Sequence, residues 1–320
     1  MSGPRRARIL AFAKINLDLR VLYRREDDFH ELRTIFQTIS LADRIDVSFR
    51  PSRKITIRVN GNVAIPDNLM VRAAGSCLDA MRVTGEVEFT LDKRIPMGAG
   101  LGGGSSDAAA VLLALPVLVG KPLGLPALMQ LAGELGSDVP FFLLGGTAVA
   151  VGRGTEVYPL PDGPPRAGLV IAPELHVSTA DAYRRLSAEL TSKSQQNKIV
   201  SFQSQTWQGG AGRGGPTSGE NDFESVVFRQ HPALKSIKRR LEKLGAQPAL
   251  MSGSGSAVFG LFQGSEQIRR ALPLFREAFR KERVIPITLV SRAKYRSEWY
   301  KGLRSHAREN QWPPLSRYAR

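Results

Sequence analysis

Pro96-Met-Gly-Ala-Gly-Leu-Gly-Gly-Gly-Ser-Ser-Asp107 is the most informative stretch of this 320-residue chain. Five glycines fall within the seven residues from Gly98 to Gly104. Ahead of them Val87, Phe89 and Leu91 alternate as in a strand, and behind them a helix is predicted to begin near Ser105. Glycine lets the backbone approach a ligand closely and adopt positive φ. A run of amides ending at a helix N-terminus attracts anions, because unpaired N–H groups and the helix dipole face the same point. Ser105 and Ser106 add hydroxyls suited to phosphate or a metal ion. A plain turn needs one or two glycines, so five point to a phosphate cradle.

Two familiar nucleotide loops do not fit. A Walker loop places Lys directly before its Ser or Thr, where this chain has Gly104. Gly98-x-Gly100-x-x-Gly103 does match the dinucleotide fingerprint, but that pattern also needs an acidic residue about 20 positions on. Residues 108 to 133 contain no Asp or Glu.

Outward from the loop, Ile15, Leu17, Leu19 and Val21 alternate with polar residues, which predicts a half-buried strand. Lys14 and Asn16 share its polar face. Ile35 to Ile39, Ile45 to Phe49 and Ile55 to Val59 are strand-like, the last ending in an Asn60-Gly61 turn. Helices are predicted over 68–81 and 125–135, the latter stopped by Gly136. Ser137-Asp138-Val139-Pro140 reads as another helix start, with Asp138 placed to cap it and proline in the first turn. Strand-like residues follow at 147–151 and 157.

The proline-rich bend from Pro159 to Pro165 places a domain boundary near residue 163. Beyond it come a strand (169–172), a helix (179–190), helices at 221–228 and 232–244, and strand-like 249–252 and 257–262 around Gly253-Ser-Gly255. A helix (266–281) and a strand (284–290) follow. Residues 191–219 hold 6 Gly, 5 Ser and 5 Gln with little apolar content, and read as a mobile insertion. No regular βαβ repeat emerges. The expectation is an α+β chain with domains at 1–163 and 164–292 and a basic tail at 293–320.

Composition narrows the classes. At 42% hydrophobic and 23% charged residues the chain is neither fibrous nor wholly disordered. Its single cysteine, Cys77, allows no intrachain disulfide. Four scattered histidines suggest no zinc cluster; the longest apolar run, residues 108–119, is too short to span a bilayer, and the N-terminal patch from Ile9 to Ala13 is too short for a signal-peptide core. A cytoplasmic location is the expectation. The net charge of +16 is the outlier. Residues 292–320 carry eight Lys/Arg against two Asp/Glu, and Arg5, Arg6 and Arg8 add three more, so 9 of the 16 excess charges sit near the termini. Solvated basic ends are the simpler reading. The rival is a non-catalytic RNA-binding protein, which would have no use for a five-glycine loop.

The glycine loop resembles the phosphate loop of the GHMP kinases. Further stretches strengthen the resemblance: Ala13-Lys-Ile-Asn-Leu17, Phe29-His-Glu-Leu32, Asp67-Asn-Leu69, Gly136-Ser-Asp-Val-Pro140 and Met251-Ser-Gly-Ser-Gly255. Together, over roughly residues 8–292, they are most similar to the branch that phosphorylates a cytidine diphosphate ester of methylerythritol. A homoserine or mevalonate kinase-like member is the alternative, disfavoured by the Phe29-His30 pair and the Lys14 motif.

The resemblance implies a ribosomal-protein-like βαβ N-terminal domain, a ferredoxin-like C-terminal domain and an active site between them. It implies ATP as phosphoryl donor with Mg²⁺, and a small-molecule substrate with no membrane partner; nucleic-acid binding by the tail is left open. Asp138 takes the place of the catalytic base and Lys14 that of a cation stabilising developing charge. Asn68 and Leu69 would line the adenine pocket. Pro96, Met97, Gly98, Ala99, Gly100, Leu101, Gly102, Gly103, Gly104, Ser105 and Ser106 would hold the phosphates. Asn16, Phe29, His30 and Tyr183 would contact substrate, Phe29 and Tyr183 stacking on cytosine and the His30 imidazole or its neighbouring backbone reading the base edge. Metal ligands are not assigned. Phe29 stands where the branch usually has Tyr, which keeps a stacking face and loses a hydroxyl. Without the resemblance, plainer roles are open: a solvated strand lysine for Lys14, a helix cap for Asp138 or Asn68, a surface histidine for His30, a core tyrosine for Tyr183.

Overall fold

The protein is described from a computed structural model covering residues 3–27, 29–189, 219–309 and 311–319. Two long strands, β1 (Arg5–Arg24) and β2 (His30–Pro51), form an antiparallel hairpin that frames the first body. β2 is long enough to serve two partners end to end on its other edge. Its first part, from Leu32 to Gln37, pairs with β5 (Thr147–Gly152), and its second, from Arg44 to Pro51, with β4 (Gly85–Asp92). β3 (Thr56–Gly61) adds to β4 in parallel, and β6 (Glu156–Pro159) adds to β5.

Helices pack on one face of this sheet. α1 (Leu69–Met81) connects β3 to β4, as a parallel pair requires. α2 (Gly103–Val119) is apolar nearly all round, and residues Ser106 to Leu118 are all buried. Such a helix belongs at the centre of a core. α3 (Leu125–Leu135) and the short α4 (Val139–Leu144) lie against it.

The second body has a four-stranded antiparallel sheet in the order β10-β7-β9-β8, from β7 (Ala167–Ala172), β8 (Ala249–Met251), β9 (Val258–Phe262) and β10 (Arg283–Thr288). In chain order that is strand four, one, three, two, the ferredoxin-like arrangement. Its helices are α5 (Thr179–Glu189), α6 (Phe223–Gln230), α7 (Pro232–Lys243) and α8 (Ser265–Ala278). The bend from Pro159 to Pro165 links the two sheets. A separate apolar cluster, including Ile15, Ile39, Ala99 and Leu101 from the first body and Val170, Phe259 and Ile287 from the second, fills the seam. Of the stretch 191–219, expected to be mobile, all but Gly219 lies outside the described residues.

The tail does not behave as a solvated appendage. α9 (Arg292–Leu303) crosses back to the first body and buries Tyr295, Trp299 and Leu303 in its core. These residues recur every fourth position, on one helix face. A small ribbon of β11 (Ala307–Arg308) and β12 (Leu315–Ser316) follows, and Ser316 donates to the carbonyl of Val117 at 2.7 Å. The basic residues occupy the other faces, so charge and burial coexist.

Candidate active site

The polar face of β1 is not exposed. Lys14, Asn16, Asp18 and Arg20 are all buried, because the second body closes over them. Register shifts after Phe12 and Asn16 break the regular pleat where these side chains must be aimed. Lys14 Nζ donates to Asn16 Oδ1 at 2.7 Å and lies 3.4 Å from Asp138 Oδ2. It also stands 5.1 Å from the centre of the Phe36 ring. Burial lowers the Lys14 pKa from its ordinary value, and the negative charge of Asp138 partly restores it. Two competing influences thus bear on one ammonium in a dry place.

Asp138 stands at the start of α4 but makes no capping hydrogen bond through its side chain. The capping role open to it in the sequence is therefore not realised. Its carboxylate, about one third exposed, is paired with Lys14 and faces the cleft.

The glycine loop runs along the floor. Gly100 has φ +76°, and a Cβ there would lie 2.0 Å from the carbonyl oxygen of Ser252. At Gly102, with φ +70°, a Cβ would meet Phe142 at 2.8 Å and Lys14 Cγ at 3.1 Å. Only glycine fits at either place. Across the seam, Ser252 Oγ donates to Gly100 O at 2.9 Å and Ala257 N to Ala99 O at 3.1 Å. Lys14 N donates to Leu101 O at 3.0 Å, tying the loop to β1. α2 then starts at Gly103 with Gly102 as a cap that offers no side chain. The first-turn amides at a helix start have no intrahelical acceptor. Ser106 Oγ is buried there without a partner.

Behind the loop, Lys93 Nζ is clamped between Asp43 Oδ2 and Asp107 Oδ2, 2.6 Å from each. Asp43 Oδ1 also accepts from the amides of Arg94 and Ile95 at 2.5 and 2.8 Å. One cation cannot fully compensate two buried carboxylates. Burial pushes the Asp107 carboxyl up to about 7, against the pull of Lys93 and with the help of Asp43.

Asn68 caps α1, its Oδ1 accepting from Met70 N at 2.9 Å. Leu69 approaches the loop: its Cδ1 is 3.9 Å from where a Cβ of Gly104 would stand. Met97 is exposed beside the loop while Pro96 and Ser105 are half-buried. The Lys14 cleft, about 240 Å³, is lined by Lys14, Asn16, Gly100, Asp138, Arg153 and Tyr183 among others. At its far end His30 stacks on Tyr183, and Tyr183 meets Phe223 edge-on. Phe29 is half exposed and carries the Arg153 guanidinium 4.0 Å above its ring. Arg153 is in turn held by Asp27, 2.7 Å from its NH2 group.

Three contributors escaped the sequence reading. Arg153 sits in Gly152-Arg-Gly154, a signal too short to notice. Thr34 accepts from Asn16 Nδ2 at 2.7 Å and donates to Asp18 O at 2.7 Å. Asn221 holds the Met251–Gly255 turn. Among the described residues no group of three or more His, Cys, Asp or Glu could hold a metal ion. Nor is any described helix long and apolar enough to cross a membrane.

A glycine-rich loop at a helix start, with a buried lysine paired to an aspartate that faces the same cleft, is the equipment of a phosphotransferase. The GHMP kinases N terminal domain matches residues 68–146, and the GHMP kinases C terminal domain matches residues 210–280. The chain belongs to the GHMP kinase family. A 4-diphosphocytidyl-2-C-methyl-D-erythritol kinase of Solibacter usitatus is 58% identical over 99% of each chain. A crystal structure of a 4-(cytidine 5'-diphospho)-2C-methyl-D-erythritol kinase superposes with a TM-score of 0.71 at 41% identity, covering 88% of this chain and 98% of that one. Homoserine kinase from Cytophaga hutchinsonii shares the fold, with a TM-score of 0.67 at 18% identity over 91% of this chain and 96% of its own.

Proposed function

We infer that this chain transfers the γ-phosphate of ATP to the 2-hydroxyl of 4-diphosphocytidyl-2-C-methyl-D-erythritol. The single observation that carries the chemistry is the Lys14–Asp138 pair, one member buried and the other facing the cleft. The named relatives carry the choice of substrate.

In this reading Asp138 accepts the proton of the acceptor hydroxyl as its oxygen attacks the γ-phosphorus. The bond from phosphorus to the β,γ-bridging oxygen breaks, and ADP leaves. Lys14 stabilises the charge that builds on the transferring group, and does so strongly because water is excluded around it. Asn16 fixes the lysine's direction by accepting its hydrogen bond. Gly98 to Gly104 cradle the phosphates with backbone amides, and Asn68 and Leu69 border the base of the nucleotide. Mg²⁺ would neutralise phosphate charge, bound chiefly by the nucleotide itself. The donors present fit that demand: the Ser105 and Ser106 hydroxyls lie at the cradle, and Ser106 Oγ lacks a protein partner. His30, Tyr183 and Phe29 supply aromatic surface for cytosine, with the phenol of the usual tyrosine absent at position 29.

The test is ADP release from Mg-ATP with 4-diphosphocytidyl-2-C-methyl-D-erythritol, for wild type beside Asp138→Asn. Wild-type turnover that falls about 10²–10⁴-fold in the variant, with substrate binding kept, supports reaction and base together. Turnover surviving in Asp138→Asn would remove the base assignment. No turnover by folded, ATP-binding wild type would overturn the substrate.

A further inference from the structure

Asn221 lies near the start of the described segment 219–309, in the run Glu220-Asn-Asp-Phe-Glu224. This run is laid along β1. Leu19 N donates to Glu220 O at 2.8 Å, and Asp222 N donates to Leu19 O at 3.0 Å. Asp222 Oδ2 accepts from Val21 N at 2.9 Å, and Asp18 Oδ1 accepts from Glu220 N at 2.9 Å. Gly219 approaches so closely that a Cβ would lie 1.7 Å from Leu17 O. The segment's backbone position is therefore fixed from several sides.

From that fixed base the Asn221 amide, 5% exposed, reaches into the Met251–Gly255 turn. Its Nδ2 donates to Met251 O at 2.7 Å and Gly253 O at 2.8 Å, and its Oδ1 accepts from Phe223 N at 3.0 Å. Glu224 Oε1 accepts from Met251 N at 2.8 Å on the same turn. Gly253, with φ +58°, then presents its own N–H to Asn16 Oδ1 at 2.9 Å. Asn16 Oδ1 is the atom that receives Lys14 Nζ. An unbroken line of hydrogen bonds thus runs from the second body to the Lys14–Asp138 pair.

We propose that Asn221 is a positioning residue for phosphoryl transfer: by holding the Gly253 carbonyl it aims the Gly253 amide at Asn16, and so sets the direction of the Lys14 ammonium. The inference rests on the reading of Lys14 as the cation of the transition state. A plain staple of the turn would need only that the turn be closed. This arrangement makes a narrower demand, that Asn16 keep the rotamer its Gly253 contact selects. Asn16 Nδ2 is already committed to Thr34, so the amide plane is held from both ends. Losing the Gly253 contact leaves Asn16 Oδ1 with Lys14 Nζ and a longer 3.4 Å contact from Ser252 Oγ, which hold the amide plane less tightly.

The test uses the full chain as Asn221→Ala, Asn221→Asp and Asn221→Ser. Asn221→Asp keeps the shape and the acceptor for Phe223 but sets oxygen against two carbonyls. kcat is expected to fall about tenfold to a hundredfold in the Ala and Asp variants, the scale of a small misplacement of a catalytic group. KM for ATP should stay within about twofold, and Ser, with one donor restored, should recover part of kcat. In the Asn16→Ala background the further loss from Asn221→Ala should be less than about twofold, since the line is already cut. A second readout needs no turnover: the ¹⁵N cross-peak of the Lys14 ammonium, assigned by its loss in Lys14→Arg, should move in the folded Asn221 variants. Additive losses, a rise in ATP KM with kcat unchanged, or an unmoved Lys14 signal would overturn the proposal. Wild type that binds ATP but leaves the cytidine ester unphosphorylated would sink the substrate instead, and the ammonium signal would still decide the role of Asn221.

Discussion

His30 and Tyr183 stack face to face, their ring centres 4.8 Å apart and their planes 22° from parallel. A cytosine does not fit between them at that spacing, so in the proposed reading it would stack on an outer face of the pair or on the ring of Phe29. Phe223 buttresses Tyr183 edge-on, which fixes the stack from the side of the second body. Burial, with a smaller push from Arg24, holds the His30 pKa below its ordinary value, which disfavours the charged imidazolium in the stack.

Tyr183→Ala should accordingly raise KM for the cytidine ester about threefold to tenfold, the worth of one aromatic pair, and leave KM for ATP unchanged. Steady-state kinetics with each substrate varied in turn checks both halves. A parallel rise in the ATP KM would place Tyr183 in the general packing of the cleft.

Asp107 gives a pH dependence with a definite sign. Its pKa is raised from 3.8 to about 7 in the folded protein, so the folded state binds a proton that the unfolded chain releases. Stability from this group is fully present below about pH 4 and is lost as pH rises through about 7. Urea unfolding of wild type between pH 5 and 8 should therefore show a downward slope that is shallower in Asp107→Asn. Equal slopes in the two proteins would remove Asp107 as the source.

Gly100→Ala should cripple the nucleotide site. The added methyl meets a backbone carbonyl, which cannot swing aside as a side chain would, and the residue needs positive φ as well. ATP affinity measured by calorimetry should fall at least tenfold while far-ultraviolet circular dichroism stays native. Affinity equal to wild type would show that the seam at Ser252 yields freely.

Trp299→Ala should cost about 3–5 kcal/mol of stability, as for other large buried aromatics. Trp299 is 2% exposed and packs near Tyr295 and Trp312. Chemical denaturation reads the loss. An unchanged midpoint would show α9 to be dispensable to the first core.

Much of this was legible in the sequence because the signals are local. Glycine spacing marks the loop ahead of α2, alternation marks the strands, and proline with flanking glycines marks their limits. The buried polar face of β1 was not legible. Lys14 to Arg20 alternate like a surface strand, and what covers them lies some two hundred residues away, at 220–222 and 252–253. Asn221 was invisible for the same reason, since nothing local distinguishes it from a turn residue. The tail was misread through a different weighting. Tyr295, Trp299 and Leu303 carry a helical spacing of four, but eight basic residues share the same stretch and mask it. Net charge describes the faces a helix shows to water and says little about the one it hides.

Because α9 and the closing ribbon return to the first body, the second sheet is an insert within it, joined at both ends. Protein synthesis runs from one end of the chain to the other, so the second sheet is complete before α9 exists. The first body, begun earliest, lacks Tyr295, Trp299 and Trp312 until the final few dozen residues have emerged. Its core is therefore sealed last, and a ribosome that stops short of α9 leaves the first body with an open flank.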